Sequence, residues 1–267
     1  MTQITHMFVD VDGTIVRHDQ SIHQKTIAAI EAAKTKGIEL WLATGRPVHE
    51  LKSLMDKLGI TNVIGYNGAY ARKGDRVLYE QHMAEDVVDD FIQTAEAHDQ
   101  EIVLYSDTHN LFTSLEPDYV QGFIQHFGIQ YNVLYSNDKK EHIYGMTLMN
   151  CPKENIPIYQ KDTTLFFSEV YVEGMTNHYD IIQQAVNKGK AIEAVMNEEK
   201  QTLEHAVAIG DGMNDKEMLK LAGVGIAMGN AHPDLIAYSD YQTTTVDEGG
   251  LYDALTYLGI ITPQVNN

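Results

Sequence analysis

The feature that most limits the architecture of this chain is a short apolar run closing on an acidic, glycine-bearing turn, which occurs near both ends. Met7–Val11 runs into Asp10-Val11-Asp12-Gly13-Thr14, and His205–Ile209 runs into Gly210-Asp211-Gly212-Met213-Asn214-Asp215. A helix candidate follows each. The first is Ile22–Lys36, with Ser21 as N-cap and Gly37 closing it; the second is Asn214–Leu221. Ile38–Ala43 and Asn62–Tyr66 read as strands on either side of a helix at Pro47–Leu58, which has proline in its first turn and Gly59 after it. Lys188–Asn197, Val224–Ala227 and Ala231–Tyr238 continue the alternation as helix, strand and helix. Strand–helix alternation predicts a parallel sheet covered by helices, a doubly wound α/β fold.

Between these two stretches the pattern changes. Asn67-Gly68 marks a tight turn, and Ala69–Tyr79 reads as a hairpin around Lys73-Gly74-Asp75. Helix candidates follow at Glu85–His98, Pro117–His126 and Pro152–Gln160, with strand candidates at Ile102–Tyr105, His142–Met149 and Glu169–Val172. The expected organisation is a core made of residues 1–82 and 183–267, interrupted by an α+β domain at 83–182. An insertion of roughly 100 residues is a normal size for an independent domain.

Composition narrows the partners. The 267 residues suit one large domain or two modest ones, and 43% hydrophobic content argues against disorder. No apolar stretch reaches the roughly 20 residues a membrane helix needs. The start, MTQITHMFVDVDG, lacks the basic and apolar regions of a secretory signal. The single cysteine, Cys151, can form no intramolecular disulfide and argues against a cysteine-based zinc site. A net charge of −19 repels nucleic-acid phosphates and anionic membranes. The expectation is a cytoplasmic protein with neither kind of partner.

Four elements carry chemistry. Asp10 and Asp12 lie two residues apart at a strand end, where open α/β sheets bind ligands. On a strand they would point the same way. Their charges would repel unless a cation, a proton or a charged partner intervenes. The pair therefore reads as a metal site or an acid/base pair, although an acidic pair before glycine can also be a plain turn. Ala43-Thr44-Gly45-Arg46-Pro47 offers a hydroxyl and N–H groups at a helix start, suited to an oxyanion; taken alone, Thr44 is an ordinary N-cap. Lys188, in Asn187-Lys188-Gly189, would alone read as a solvated lysine in a position the helix dipole disfavours. In Gly210–Asp215, glycines permit close approach, and two carboxylates with an amide suit a hard cation such as Mg²⁺. The twelve histidines show no His-Glu-x-x-His spacing, no Gly-x-Ser-x-Gly elbow is present, and Trp41 reads as core.

In this order the four elements resemble the motifs of Cof-type members of the haloacid dehalogenase superfamily, across about residues 4–82 and 178–258. The segment His178–Lys188 resembles the return to the core, and Val246–Leu255, with Glu248-Gly249-Gly250, resembles the closing loop and helix. The resemblance implies that the insertion is a C2-type α/β cap governing substrate choice. It implies that Asp10 is the nucleophile forming an aspartyl-phosphate, and that Asp12 is the general acid and then the base. Burial and neighbouring negative charge would keep Asp12 protonated for the first of these roles. Asp10, Asp12 through its carbonyl, and Asp211 resemble Mg²⁺ ligands, with Asp215 in support directly or through water. Thr44, Gly45, Lys188 and Asn214 resemble the substrate phosphate-binding set.

The implied protein is a Mg²⁺-dependent phosphatase of small phosphorylated metabolites such as sugar phosphates. A phosphomutase, a phosphatase dedicated to one sugar phosphate, and a non-enzymatic phosphate-binding relative use the same positions. A haloalkanoate dehalogenase needs neither Asp12 nor a metal. A receiver-like signalling domain would lack both the Asp-x-Asp spacing and the insertion. In the inserted segment, His109, Asn110 and Tyr144 are candidates to face a sugar or nucleotide.

Overall fold

The structure, a computed structural model, describes residues 3–136, 142–161, 163–170 and 176–262. The chain opens with β1 (His6–Val9), α1 (Gln24–Thr35), β2 (Glu39–Ala43), α2 (Lys52–Leu58) and β3 (Asn62–Gly65), then a hairpin of β4 (Tyr70–Lys73) and β5 (Arg76–Glu80). Next come α3 (Glu85–Ala97), β6 (Glu101–Tyr105), β7 (Asn110–Phe112), α4 (Asp118–Phe127) and β8 (Asn132–Leu134). β9 (Gly145–Met149), α5 (Ile156–Tyr159), β10 (Leu165–Glu169) and β11 (Tyr179–Gln183) follow. The chain closes with α6 (Lys188–Glu198), β12 (Ala206–Gly210), α7 (Lys216–Leu221), β13 (Val224–Ala227), β14 (Tyr241–Gln242) and α8 (Gly250–Tyr257).

Two compact units result. The first comprises Met1–Arg46, Ser53–Glu80 and Asn187–Asn267; the second comprises Pro47–Lys52 and Gln81–Val186. The first holds an eight-stranded sheet in the order β14-β13-β12-β1-β2-β3-β4-β5, parallel from β14 to β3 and antiparallel across the hairpin. This is the expected α/β architecture. Phe8, Trp41, Ala43 and Ile64 pack with Ala191, Ile192 and Val195 of α6 and with Met218 and Leu219 of α7. Burying each large apolar side chain contributes roughly 1.5–3 kcal/mol. Trp41 is core, as expected: its ring lies 5.8 Å from that of Phe8, and its Nε1–H donates to Glu39 at 3.0 Å.

The second unit has a six-stranded sheet, β10-β11-β9-β6-β7-β8, antiparallel except for β7 with β8. Val88 and Phe91 of α3 and Tyr159 of α5 pack with Ile102 and Leu104 of β6. Val120 and Phe123 of α4 pack with Val103. β7, β8 and β11 had no counterpart among the expected strands. Of the expected strand Glu169–Val172, Tyr171 and Val172 lie outside the described residues.

Several helix starts differ from expectation for local reasons. Ser21 is not the N-cap of α1. Its carbonyl accepts the Arg17 N–H at 2.9 Å, and Ile22 bridges Val16, so the helix begins later. His23 is the cap, its Nδ1 accepting the Lys25 N–H at 3.1 Å. The helix expected at Pro47–Leu58 begins as a 3₁₀ turn, Val48–Leu51, before α2. Met213–Asp215 is likewise a 3₁₀ turn before α7, and Pro233–Tyr238 is 3₁₀ throughout.

Candidate active site

Register brings the two acidic turns together. β1 pairs in parallel with β12, with Val9 opposite Ile209, and the Asp10 N–H donates to the Ile209 carbonyl at 2.9 Å. Asp10 and Asp211 thus leave neighbouring strands at the same end of the sheet. Gly13 has φ +80°, and a Cβ there would lie 2.1 Å from Asp211 Oδ2. Only glycine lets the first turn close this tightly on the second. Thr14 Oγ1 donates to Asp211 Oδ1 at 3.3 Å.

Lys188 is completely buried. Its Nζ donates to Asp10 Oδ1 and to Asp215 Oδ1, each at 2.6 Å. It opens α6 behind the N-cap Asn187, whose side chain accepts the Lys190 N–H at 2.9 Å. The turn at Tyr66–Gly68 packs on this helix start. Gly68 has φ +102°, and a Cβ there would meet the Asn187 carbonyl oxygen at 2.3 Å. Asp215 has both oxygens engaged, since Oδ2 also accepts the N–H groups of Asp211 and Gly212, each at 2.9 Å.

Asp10, Asp211 and Asp215 each place a carboxylate oxygen within 4.8 Å of the others. Burial, and then the Asp215 charge, push the Asp10 carboxyl well above its ordinary range, with Lys188 opposing. The same two causes push Asp211 up to about 6. Burial acts to lower the Lys188 ammonium, but Asp10 and Asp215 more than reverse this and leave it raised. Three carboxylates face one ammonium, so the ionised cluster lacks two positive charges. An all-oxygen donor set with that deficit fits a hard divalent cation.

Asp12 departs from expectation. Its side chain is half exposed rather than buried. β1 stops at Val9, and the Val11 carbonyl then accepts the N–H groups of Thr14, Ile15 and Val16, curling the chain over itself. The Asp12 carboxylate instead meets a guanidinium: Arg46 Nε donates to Oδ2 at 2.8 Å, and Arg46 Nη2 donates to Oδ1. Arg46 was quoted in the sequence only as a neighbour of Thr44. The like-charge argument, which allowed a cation, a proton or a charged partner for the pair, was the signal for it.

Thr44 is buried, and its Oγ1 accepts the Arg46 N–H at 3.1 Å. It does not cap a helix, because Gly45, Arg46 and Pro47 intervene before the 3₁₀ turn. The Thr44 carbonyl accepts the Asn67 N–H at 3.0 Å, and Asn67 Oδ1 accepts from Asn214 Nδ2 at 2.9 Å. Gly45 lies against the same Asn67 amide. Thr44, Gly45 and Asn214 are therefore linked through Asn67, a left-handed residue (φ +55°) that sequence reasoning treated only as a turn. Asn230 was missed as well: its Nδ2 donates to the Gly13 carbonyl at 2.9 Å and to Asp211 Oδ2 at 3.1 Å.

Within the second unit, Asn110 is buried rather than presented to a ligand. Its Nδ2 donates to Glu50 at 2.7 Å and to Asn132 at 3.0 Å. Tyr144 is buried as well.

The chain belongs to the haloacid dehalogenase-like hydrolase family, whose model matches residues 7–255. It is a hydrolase of the phosphatase class. Among curated proteins it is similar to the phosphatase YwpJ of Bacillus subtilis strain 168, with 26% identity across 94% of this chain and 98% of the relative. A solved structure described as the subclass IIB sugar phosphatase BT4131 aligns with TM-score 0.79 and 28% identity, over 96% of this chain and 100% of that one. A structure from Geobacillus kaustophilus HTA426 aligns with TM-score 0.90 over 97% of this chain and 100% of that one; at 24% identity it supports the fold alone.

Proposed function

We propose that this enzyme is a Mg²⁺-dependent phosphatase of small phosphate monoesters, sugar phosphates foremost, working through an aspartyl-phosphate on Asp10. The observation that carries the reading is the cluster of Asp10, Asp211 and Asp215, with buried Lys188 bonded to Asp10 and Asp215. Asp10 and Asp211, with the Asp12 carbonyl, would hold the ion. Asp215, its two oxygens already engaged, supports them from behind. When bound, Mg²⁺ supplies the positive charge that favours ionised Asp10 and offsets the charge of the phosphoryl group.

In this mechanism an Asp10 carboxylate oxygen forms the new bond to phosphorus as the bond to the leaving alkoxide breaks. Asp12 gives the alkoxide a proton, then takes one from the water that hydrolyses the acyl phosphate. The Arg46 pair holds the Asp12 carboxylate oxygens, so that grip must open and Asp12 must take up a proton from solvent before it can deliver one. Lys188, the Thr44 hydroxyl, the Gly45 N–H and Asn214 hold the phosphoryl oxygens. Positioning and electrostatics of this kind dominate phosphoryl transfer.

The inserted residues 83–182 act as a C2-type cap that selects the substrate. The sugar phosphatase title of BT4131 supports sugar phosphates as the leading class. Phosphate release from a panel of phosphorylated metabolites, ranked by kcat/KM with Mg²⁺ and after chelation, tests the reading. Turnover untouched by complete chelation would remove the metal, and phosphate found transferred within the substrate rather than released would favour a mutase.

A further inference from the structure

At the opposite end of the sheet from Asp10, four charged or ionisable side chains converge. His6 is the first residue of β1, Glu39 the first of β2, and Glu199 the C-cap of α6. Lys73, the last residue of β4, donates from Nζ to Glu39 Oε2 at 2.7 Å and to Glu199 Oε2 at 2.6 Å. Asp10 lies four residue steps beyond His6, about 13 Å at the rise of a strand, so the two clusters are distinct.

One atom in this group is out of balance. His6 is 5% exposed, and its Nε2 is buried with no hydrogen-bond partner. The nearest carboxylate oxygen, Glu39 Oε1, is 3.8 Å away, beyond hydrogen-bond reach. An orphaned buried ring nitrogen costs free energy. The other ring nitrogen lies 2.8 Å from Thr5 Oγ1. With Nδ1–H donating to that hydroxyl, the Nε2 lone pair faces the carboxylates, as in histidines whose second nitrogen is fixed by an outer partner. Glu39 is oriented in the same way, with Oε1 accepting from Trp41 Nε1 at 3.0 Å and from Asn62 Nδ2 at 3.4 Å. One ligand atom from each of His6, Glu39 and Glu199 lies within 4.8 Å of the others.

We propose that His6, Glu39 and Glu199 form a second metal site, separate from the catalytic carboxylates, that takes a divalent transition-metal ion, Zn²⁺ by preference. An imidazole nitrogen with two carboxylates suits zinc better than magnesium. Lys73 is the ammonium that neutralises the carboxylates without metal, and its side chain is 35% exposed, so it can swing to solvent as the ion enters. The imidazole is suited to ligation, because burial lowers its proton affinity and keeps the lone pair available, with Glu39 opposing. A bound ion would tie β1 and β2 to the far end of the helix whose first residue is Lys188.

The test is equilibrium dialysis of the full chain against Zn²⁺ at neutral pH, with metal counted per chain. It is run in wild type and in Asp211→Asn, which removes a catalytic-cluster carboxylate. In both backgrounds, His6→Gln and Glu199→Gln should each lose one zinc, and Lys73→Met should bind zinc more tightly. Zinc should also raise the unfolding temperature of Asp211→Asn but not of Asp211→Asn combined with Glu199→Gln. Glu199 caps a helix end, so its variant reports even if His6→Gln misfolds. Zinc binding that is unchanged by Glu199→Gln, or that disappears with Asp211→Asn alone, would overturn the proposal, as would weaker binding in Lys73→Met.

Discussion

Asp211→Asn should make the metal-free protein more stable while removing its activity. Asp211 has its carboxyl pushed from an ordinary 3.8 up to about 6, by burial and then by Asp215. At about 1.4 kcal/mol per pH unit, ionising it in the folded state costs about 3 kcal/mol more than in the unfolded chain. Asparagine carries no such charge. Against this, the amide turns one oxygen into a donor and loses the acceptor for Thr14 or for Asn230, at about 1 kcal/mol. The net gain is about 2 kcal/mol. The sign follows from linkage. A carboxyl raised in the folded state is fully tolerated below about 3.8, and its penalty grows until pH passes about 6. The advantage of the variant should therefore vanish at pH 3.5, develop between pH 4 and 6, and stay level above that. Trp41 is the single tryptophan and is buried in the unit that carries Asp211, so its fluorescence reports urea unfolding of that unit. Measured in EDTA at pH 8 and pH 4, a variant less stable than wild type at pH 8 would refute the charge-deficit argument. Adding Mg²⁺ should reverse the order, stabilising wild type and not the variant.

Three further expectations follow from the same site. Asp10→Asn should abolish both turnover and the covalent phosphoenzyme, because an amide is not a competent nucleophile; phosphate incorporation into the intact variant would exclude Asp10. Asp12→Asn should slow turnover by about 10²–10⁴, less so in the first step for substrates with good leaving groups, and a loss independent of leaving group would argue against its acid role. Replacing residues 83–182 by a Gly/Ser linker should reduce kcat/KM for sugar phosphates far more than for p-nitrophenyl phosphate, with Trp41 fluorescence as the folding check. Equal losses would count against substrate selection by the insertion.

The members of the candidate site were singled out by residue type and order, but their geometry could be read only in part. The apolar runs predicted β1, β12 and β13 closely, since parallel strands buried on both faces leave continuous hydrophobic runs. Asp10 and Asp211 then follow from register. Lys188 did not follow from local chemistry, which favours a solvated side chain at that position. Its burial depends on two aspartates from distant segments, and only the resemblance singled it out. The exposure of Asp12 could not be read, because the strand ends at Val9 and the Val11 carbonyl gathers three N–H groups that turn the chain. Arg46, Asn67 and Asn230 act through contacts across loops, which leave no periodic trace. The strands β7 and β8, three residues each, are too short for alternation to register.

The strand order also sets a schedule for synthesis. β1 lies between β2 and β12, so one edge of β1 waits for a partner that is made only after the inserted segment. Until then the nascent chain holds Asp10 at an unpaired strand edge, without Lys188 or Asp215 beside it. An uncovered apolar edge is a template for pairing with another chain. A ribosome stalled anywhere in the insertion would therefore present a fragment with that edge open. The candidate site would form only when the segment from Asn187 onward joins the first unit, so its assembly is tied to the synthesis of β12 and α6.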